Sequence, residues 1–356
     1  MTIWQRFLLK AGAHDGGPEG SAGESFGDAR AEQRAALTRS ALYALPELGV
    51  IHVEGADARE FLHGQLTQDL LNLEAGRWTR AAWCSAKGRA LAVFRVIPQD
   101  QGFDLLLPAA LVPPVLARLR LFVLRSRVEL SDDTETRPAV GLSGTDAGTL
   151  LRQSDYAAPS PGHVRHAGEV SILGLDGSPP RFILLGPTAQ MVDAWQALVR
   201  DARPCGMAAW NLLEVINGEP TVLAQTQDRF VPQMLNLHWL DGVNFRKGCY
   251  PGQEVVARMQ YLGHLKRRMF LASVERDGPV APGEAVHTAG NSQAVGSVVN
   301  ASPHPQGGQW LLAVLRIDAA ESQALRLGSP QGEPLHLREL PYTVGSASPE
   351  AGASAD

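Results

Sequence analysis

Cysteine is almost missing from this sequence. Cys84, Cys205 and Cys249 are its three thiols in 356 residues, and no two of them form a C-x-x-C pair. That spacing argues against a zinc site or a self-contained cluster cradle, and no metal site is expected. An odd, scattered set is not a disulfide framework either, so reduced thiols in a reducing compartment are the expectation. Long apolar runs are missing too, and none would cross a bilayer. The opening stretch, Met1 to Lys10, has neither a basic n-region nor a long apolar core; a cytoplasmic location without membrane contact is expected. Charged residues make up 19% of the chain and the formal net charge is −5, a balance that argues against stable nucleic-acid binding.

What is present is apolar material, 44% of the residues, enough for two or three compact units at this length. Charge is unevenly spread. Between Arg246 and Arg268 there are six basic residues and one acid, a positive island on a negative chain. Such an island draws an anionic ligand or an acidic partner locally; a solvated basic strand or loop is the plainer alternative. No repeat of fixed period is found.

Residues 1–35 read as an amino-terminal strand followed, over 12–35, by a flexible Gly/Ala/Glu-rich insertion without hydrophobic periodicity. Leu48–Val53 reads as a strand. Phe61, Leu62, Leu66 and Leu70 recur at helical spacing and predict a helix over Asp57–Leu71. Two apolar runs, Trp78–Cys84 and Arg89–Ile97, flank Ser85-Ala-Lys-Gly and predict a hairpin. Phe103–Leu107 is strand-like, and Pro113–Phe122 is helical with proline at its start. Val123–Leu130 alternates and reads as a strand. A second lobe is expected over 131–203, with a strand at Phe182–Leu185 and a helix at Ala189–Val199. Trp210–Ile216 is helical and stops at Gly218-Glu219-Pro220. From 266 to 340, short apolar runs alternate with Pro-Gly and Gly-Gly, the texture of a small antiparallel barrel. Residues 341–356 read as a disordered tail. Strands outnumber helices without regular βαβ alternation, so the expected class is α+β.

The most unusual stretch is Lys247-Gly-Cys-Tyr-Pro-Gly-Gln-Glu254. Pro251 and Gly252 occupy the two central places of a type II turn, which fixes Cys249 immediately before a rigid bend. Arg246 and Lys247 stand close by, and cations near a thiol favour its thiolate. An accessible thiol there is a candidate nucleophile, redox sensor or metal ligand. The competing reading is a cysteine buried as a small apolar group. Spacing takes the argument no further.

The string K-G-C-Y-P-G-Q-E-V-V-A-R-M-Q-Y-L-G-H-L-K-R-R resembles the signature of the YgfZ family, relatives of the aminomethyltransferase T-protein of glycine cleavage. Other segments agree in order: Gly55–Asp69, Cys84–Arg89, Val123–Val128, Phe230–Leu237 and Gly242–Phe245. The likeness covers roughly residues 40 to 340. It implies a three-lobed ring: a core over 36–265, made of two α+β lobes, and a C-terminal antiparallel β-barrel. Tetrahydrofolate would bind near the centre, and the role implied is accessory to iron–sulfur cluster assembly or repair, felt through enzymes such as those that methylthiolate tRNA. Cys249 and Lys247 match the family's functional pair; Tyr250, Gly252, Gln253 and Glu254 match the rest of its motif. Three features depart from the family. Glu219 stands between Gly218 and Pro220, where an apolar residue is usual. His264 replaces a usual lysine. The insertion at 12–35 is atypical.

A reduced folate has a flat pterin edge rich in donors and acceptors and an anionic tail, and needs matching amides, carboxylates and cations. Gln65, Asp69, Gln253 and Glu254 are candidates for the edge. Lys87, Arg89, Arg125, Lys247 and Arg258 are candidates for the tail, with Tyr250 beside them. Three functions are weighed. The first is a folate-binding accessory protein acting through Cys249 on iron–sulfur proteins or their assembly factors, as a monomer without classical turnover. The second is a folate-dependent one-carbon transferase, which lacks the Cys motif. The third is an RNA-binding module, which needs basic residues interleaved with aromatics. The first is expected.

Overall fold

The computed structural model describes residues 1–14, 23–261, 265–322 and 324–345. The sequence expectations for 15–22, His264 and 346–356 lie outside these residues. The amino-terminal segment is a helix, not the expected strand: α1 spans Ile3–Lys10. Thr2 makes a capping box with Gln5, and the helix buries Trp4 and Leu8. Part of the expected flexible insertion is also helical, as α2 (Ala29–Thr38) behind an Asp28 cap. Its inward residues are Glu32, Gln33, Ala35 and Ala36, which is why no hydrophobic stripe announced it. The buried Glu32 carboxylate accepts from the backbone N–H groups of Phe26 and Gly206 and from the Ser25 hydroxyl.

The next elements are β1 (Ala41–Ala44), β2 (Leu48–Glu54), α3 (Ala58–Gln65), β3 (Thr79–Cys84), β4 (Ala90–Gln99), β5 (Gly102–Pro108), α4 (Val112–Arg120) and β6 (Glu129–Asp132). The expected hairpin is β3–β4. Helix α3 stops at Gln65 rather than Leu71. The following backbone is pulled out by Thr67, whose hydroxyl donates to Gly242 O and accepts from Ala82 N. The strand expected over Val123–Leu130 begins at Glu129. Residues 121–126 are turns instead, with Leu124 at φ 45°. The first sheet runs β3-β4-β5-β2-β6, all antiparallel.

The second lobe contains β7 (Ala139–Ser143), α5 (Ala147–Gln153), β8 (Val164–Ala167), β9 (Val170–Leu175), β10 (Arg181–Leu185), α6 (Thr188–Leu198) and β11 (Arg203–Cys205). Its sheet runs β11-β1-β7-β10-β9-β8, so β1 is inserted from outside the lobe's own segment. Without β1 the two lobes share one plan: strand, helix, three strands, helix, strand. Their registers match as well. Ile51 pairs with Leu105 and Val53 with Phe103 in the first sheet; Val140 pairs with Leu184 and Leu142 with Phe182 in the second. Both lobes enter their first helix through Gly-x-Asp-Ala, with Gly55 at φ 118° and Gly144 at φ 129°. The molecule therefore contains a structural duplication that the sequence scan for a fixed repeat did not show.

Helix α7 (Met207–Ile216) leads through irregular chain to α8 (Gln253–Tyr261). The last sheet is built from β12 (Arg267–Val274), β13 (Ala285–Thr288), β14 (Asn291–Pro303), β15 (Gln309–Arg316), β16 (Leu325–Leu327) and β17 (Leu335–Arg338). Its order is β16-β13-β14-β15-β12-β17, and a bridge between Arg326 and Pro334 brings its two edges together, a curled antiparallel sheet as expected. The first sheet is covered on both sides. One core cluster joins its Phe94 and Leu105 to Met269, Leu312 and Val314 of the last sheet. Another joins its Ile97 and Leu106 to Leu173, Ile183 and Trp210. The fold is α+β, and among the described residues no helix is long and apolar enough to cross a membrane.

Candidate functional site

Cys249 is exposed, whereas Cys84 and Cys205 are buried. Burial pushes both inner thiols up to about 12. The bend after Cys249 forms as its residues dictate. Gln253 N donates to Tyr250 O at 3.1 Å, Gly252 takes φ 78°, and α8 starts at once. Two glycines clamp this bend onto the β3–β4 hairpin. A Cβ on Gly252 would lie 2.3 Å from Ser85 O, and one on Gly88 would lie 2.8 Å from Val255 Cβ.

Lys247 does not point outward. Its Nζ donates to the carbonyls of His63 and of Leu66, the latter at 2.7 Å, and so caps the C-terminal end of α3. A cation belongs there, against carbonyls that have no partner within the helix. Burial lowers Lys247 to about 8, opposed by the charges of Asp69 and Cys249. The Tyr250 ring packs 5.0 Å from the same ammonium. His63 Nδ1 lies 3.2 Å from Asp69 Oδ1, and burial followed by the Lys247 charge lowers His63. Gln253 reaches back to Lys247 O at 3.4 Å, and Gln65 Oε1 is 3.4 Å from Trp83 Nε1. Lys247, Cys249, Tyr250, Gln253, Gln65 and Asp69 therefore gather around one helix end. Lys87 is exposed in the hairpin turn, Glu254 and Arg258 are exposed on α8, and Arg125 is exposed in the turn after α4.

None of these ten residues lines the large cavity where the lobes meet. That cavity, about 630 Å³, is walled by Arg95 and Leu106 of the first sheet, Trp210 and Glu214 of α7, Glu219, and Asn300 of the last sheet. A bulge between Val298 and Asn300 accompanies the turn of this side chain toward the cavity. Glu214 binds Arg181 at 2.7 Å and Arg95 at 2.5 Å. Arg80 is buried between Glu219, which it grips through two nitrogens, and Asp176 at 3.1 Å. Arg80 and Glu219 also line a second cavity of about 370 Å³ with Trp78, Asp176, Trp239 and Tyr342, so this ion pair is the wall between the two. Two buried atoms of the larger cavity's lining, Arg95 Nε and Asn300 Oδ1, have no hydrogen-bond partner.

The sequence reading missed Arg80, Arg95, Glu214 and Asn300. One signal was available: a buried arginine needs a buried acid, and Arg80 sits inside an otherwise apolar strand. Glu219, singled out as a departure from the family pattern, turns out to be that acid. Among the described residues no group of three or more His, Cys, Asp or Glu is placed to hold a metal ion.

No protein-family model matches the chain. Curated relatives do. The chain is 32% identical over 313 residues to the tRNA-modifying protein YgfZ of Colwellia psychrerythraea, covering 87% of this chain and 95% of that protein. It is 30% identical to the protein of the same name from Sodalis glossinidius, covering 85% and 93%. In structure it resembles the glycine cleavage system aminomethyltransferase T from Bartonella henselae, with a TM-score of 0.80 over 95% of this chain and 96% of that one, at 16% identity. That last likeness shows the shared fold. With the Cys249 motif in place on this fold, and relatives matched over nearly their whole length, the chain belongs to the family of the tRNA-modifying protein YgfZ.

Proposed function

We propose that this protein is a tetrahydrofolate-binding accessory factor for iron–sulfur proteins, with the folate in the central cavity and Cys249 as the thiol that meets the partner. The observation that carries the folate half is the cavity itself: its volume falls within the usual range for ligand sites, and two residues of its lining, Arg95 and Asn300, each keep a buried polar atom without a hydrogen-bond partner. Buried polar atoms without partners cost free energy unless a ligand or water meets them. Trp210, almost wholly buried, closes one side of the cavity, and Glu214 and Glu219, held by their arginines, set carboxylates in its wall. The folate-contact roles assigned from sequence to Gln65, Asp69, Lys87, Arg125, Tyr250, Gln253, Glu254 and Arg258 pass in this reading to Arg95, Trp210, Glu214, Glu219 and Asn300. When bound, the folate supplies a carrier for a one-carbon unit. The protein's own residues orient it and exclude water, while Cys249 works outside the cavity's lining.

Two measurements test this. Tetrahydrofolate at a hundred times its Kd should add about 2.7 kcal/mol to stability, a rise of several degrees in Tm. Asn300→Leu and Trp210→Ala should abolish that rise, and Cys249→Ser should keep it. In a strain lacking the gene, Cys249→Ser should fail to restore a cluster-dependent tRNA modification that wild type restores. No Tm shift at millimolar folate removes the ligand from this account; full restoration by Cys249→Ser removes the thiol.

A further inference from the structure

The segment after α4 has no use in the account above. Residues 105–128 contain four arginines and no acid, on a chain of formal charge −5. Within its turns, Leu121 is 72%, Phe122 is 40% and Leu124 is 87% exposed, Leu124 more than any other large apolar side chain among the described residues. Leu124 also holds φ 45°, a conformation that a leucine adopts at a cost and that here serves to display it. Arg118 lies over the Trp83 ring at 5.6 Å, Phe122 meets the same ring edge-on at 6.3 Å, and Arg125 is exposed beside them.

This segment and the Cys249 loop flank the same end of α3. Gln65 reaches toward Trp83 on one side, and His63 stands 3.5 Å from where a Gly248 Cβ would be on the other. Gly64 lies between them in the helix. A Cβ there would meet nothing within 4 Å, so no packing inside the protein requires glycine. Glycine weakens a helix, and its use at an open position fits an outside group coming close to the backbone.

We propose that this surface, where Gly64 and Gln65 lie between Phe122–Leu124 and Gly248–Cys249, is the docking surface for a partner protein presenting an apolar segment flanked by acidic residues. The inference rests on the reading that Cys249 acts on a partner. Arginine and aromatic anchors in an apolar patch are the usual makings of a protein interface, and the arginine rim selects an acidic occupant. A second copy of this chain fits poorly. Patch against patch would oppose arginines to arginines, and patch against the acidic body would be a heterologous contact that need not close. RNA would favour stacking faces, whereas the most exposed side chains here are leucines.

The test uses Leu124→Glu, Gly64→Ala and the pair Arg118→Glu/Arg125→Glu in the full chain. Each variant should bind tetrahydrofolate as wild type does and expose Cys249 to a maleimide at the wild-type rate. Gly64→Ala should melt about 1–3 °C higher. Each should nonetheless restore the tRNA modification at least fivefold less well than wild type. A benzophenone amino acid placed at position 124, and separately at 121, should crosslink in cells to one and the same protein through an acid-rich peptide, and the charge-reversed pair should lose the adduct. Wild-type restoration by all three variants overturns the proposal. So does an adduct to RNA, vesicle binding (30% phosphatidylserine) lost in Leu124→Glu, or a dimer in sedimentation velocity that this change dissolves. Cys249→Ser judges the thiol separately: if it restores modification while Leu124→Glu does not, the docking surface stands and the thiol role falls.

Discussion

At the scale of single residues, Glu219, one of the departures from the family pattern read in the sequence, is bound by the buried Arg80. Both side chains are buried, and an ion pair in that position is costly to break from one side. Glu219→Leu should cost about 3 kcal/mol, because the half-exposed Asp176 is then the only counter-charge in contact with Arg80 among the described residues. Arg80→Met should cost as much by stranding Glu219. The double change should come back to within about 1 kcal/mol of wild type, since an apolar pair of similar volume replaces the charges. Urea unfolding of the four proteins checks this, and additive losses would contradict it. The pH dependence has a definite sign. Burial works to raise the Glu219 carboxyl, but the Arg80 guanidinium outweighs it and holds the group below its ordinary 4.5. Its contribution is therefore complete above that value and fades as pH falls; the double variant should lose this part of the acid sensitivity. Cys249 was legible in sequence because Pro-Gly turn chemistry is local. Lys247 was legible as a neighbour of the thiol, but not as the cap of a helix some 180 residues earlier.

At the scale of elements, the exposed thiol depends on two turns locked together. Gly252→Ala forces a side chain into a left-handed backbone with its Cβ 2.3 Å from Ser85 O. The expected loss is about 1–3 kcal/mol, and the hairpin after Cys84 should loosen. Maleimide labelling read by peptide mass spectrometry should find Cys249 alone modified in the native protein and all three thiols in denaturant; in Gly252→Ala, Cys84 should label as well. Continued protection of Cys84 would show that the clamp is dispensable. The hairpin, α4, α6 and α7 were readable because their apolar spacing and their stop and start residues agree. Helices α1 and α2 were not, since one is short and the other buries alanines and a glutamate. The 123–128 segment alternates like a strand, yet no neighbouring strand pairs with it until Glu129 meets Glu54.

At the scale of the whole molecule, the first sheet is packed against both other sheets. Leu312 lies in the core shared by the first lobe and the last sheet. Leu312→Ala should lower stability by about 2–5 kcal/mol while leaving one calorimetric transition. Two resolved transitions would mean that the last sheet unfolds independently. The duplicated lobes show how weakly a fold constrains its sequence: the registers coincide, while little beyond Gly-x-Asp-Ala and a spacing of apolar residues is common to the two copies.

The sequence by itself determined what nearest neighbours along the chain determine: the bend that holds Cys249, the hairpin before it, the helices with clear apolar faces, and the motif by which the family is known. Those features follow from backbone stereochemistry and from period-2 or period-3.6 patterns within a dozen residues. Only the tertiary structure decided the rest. Arg80, Arg95, Glu214, Glu219 and Asn300 become one cavity wall because the first sheet, α7 and the last sheet close on each other, and the Lys247 ammonium finds its carbonyls only once α3 has been laid beside it. Burial and charge pairing act through space, so residues that are ordinary in their own segments acquire their roles when the chain folds.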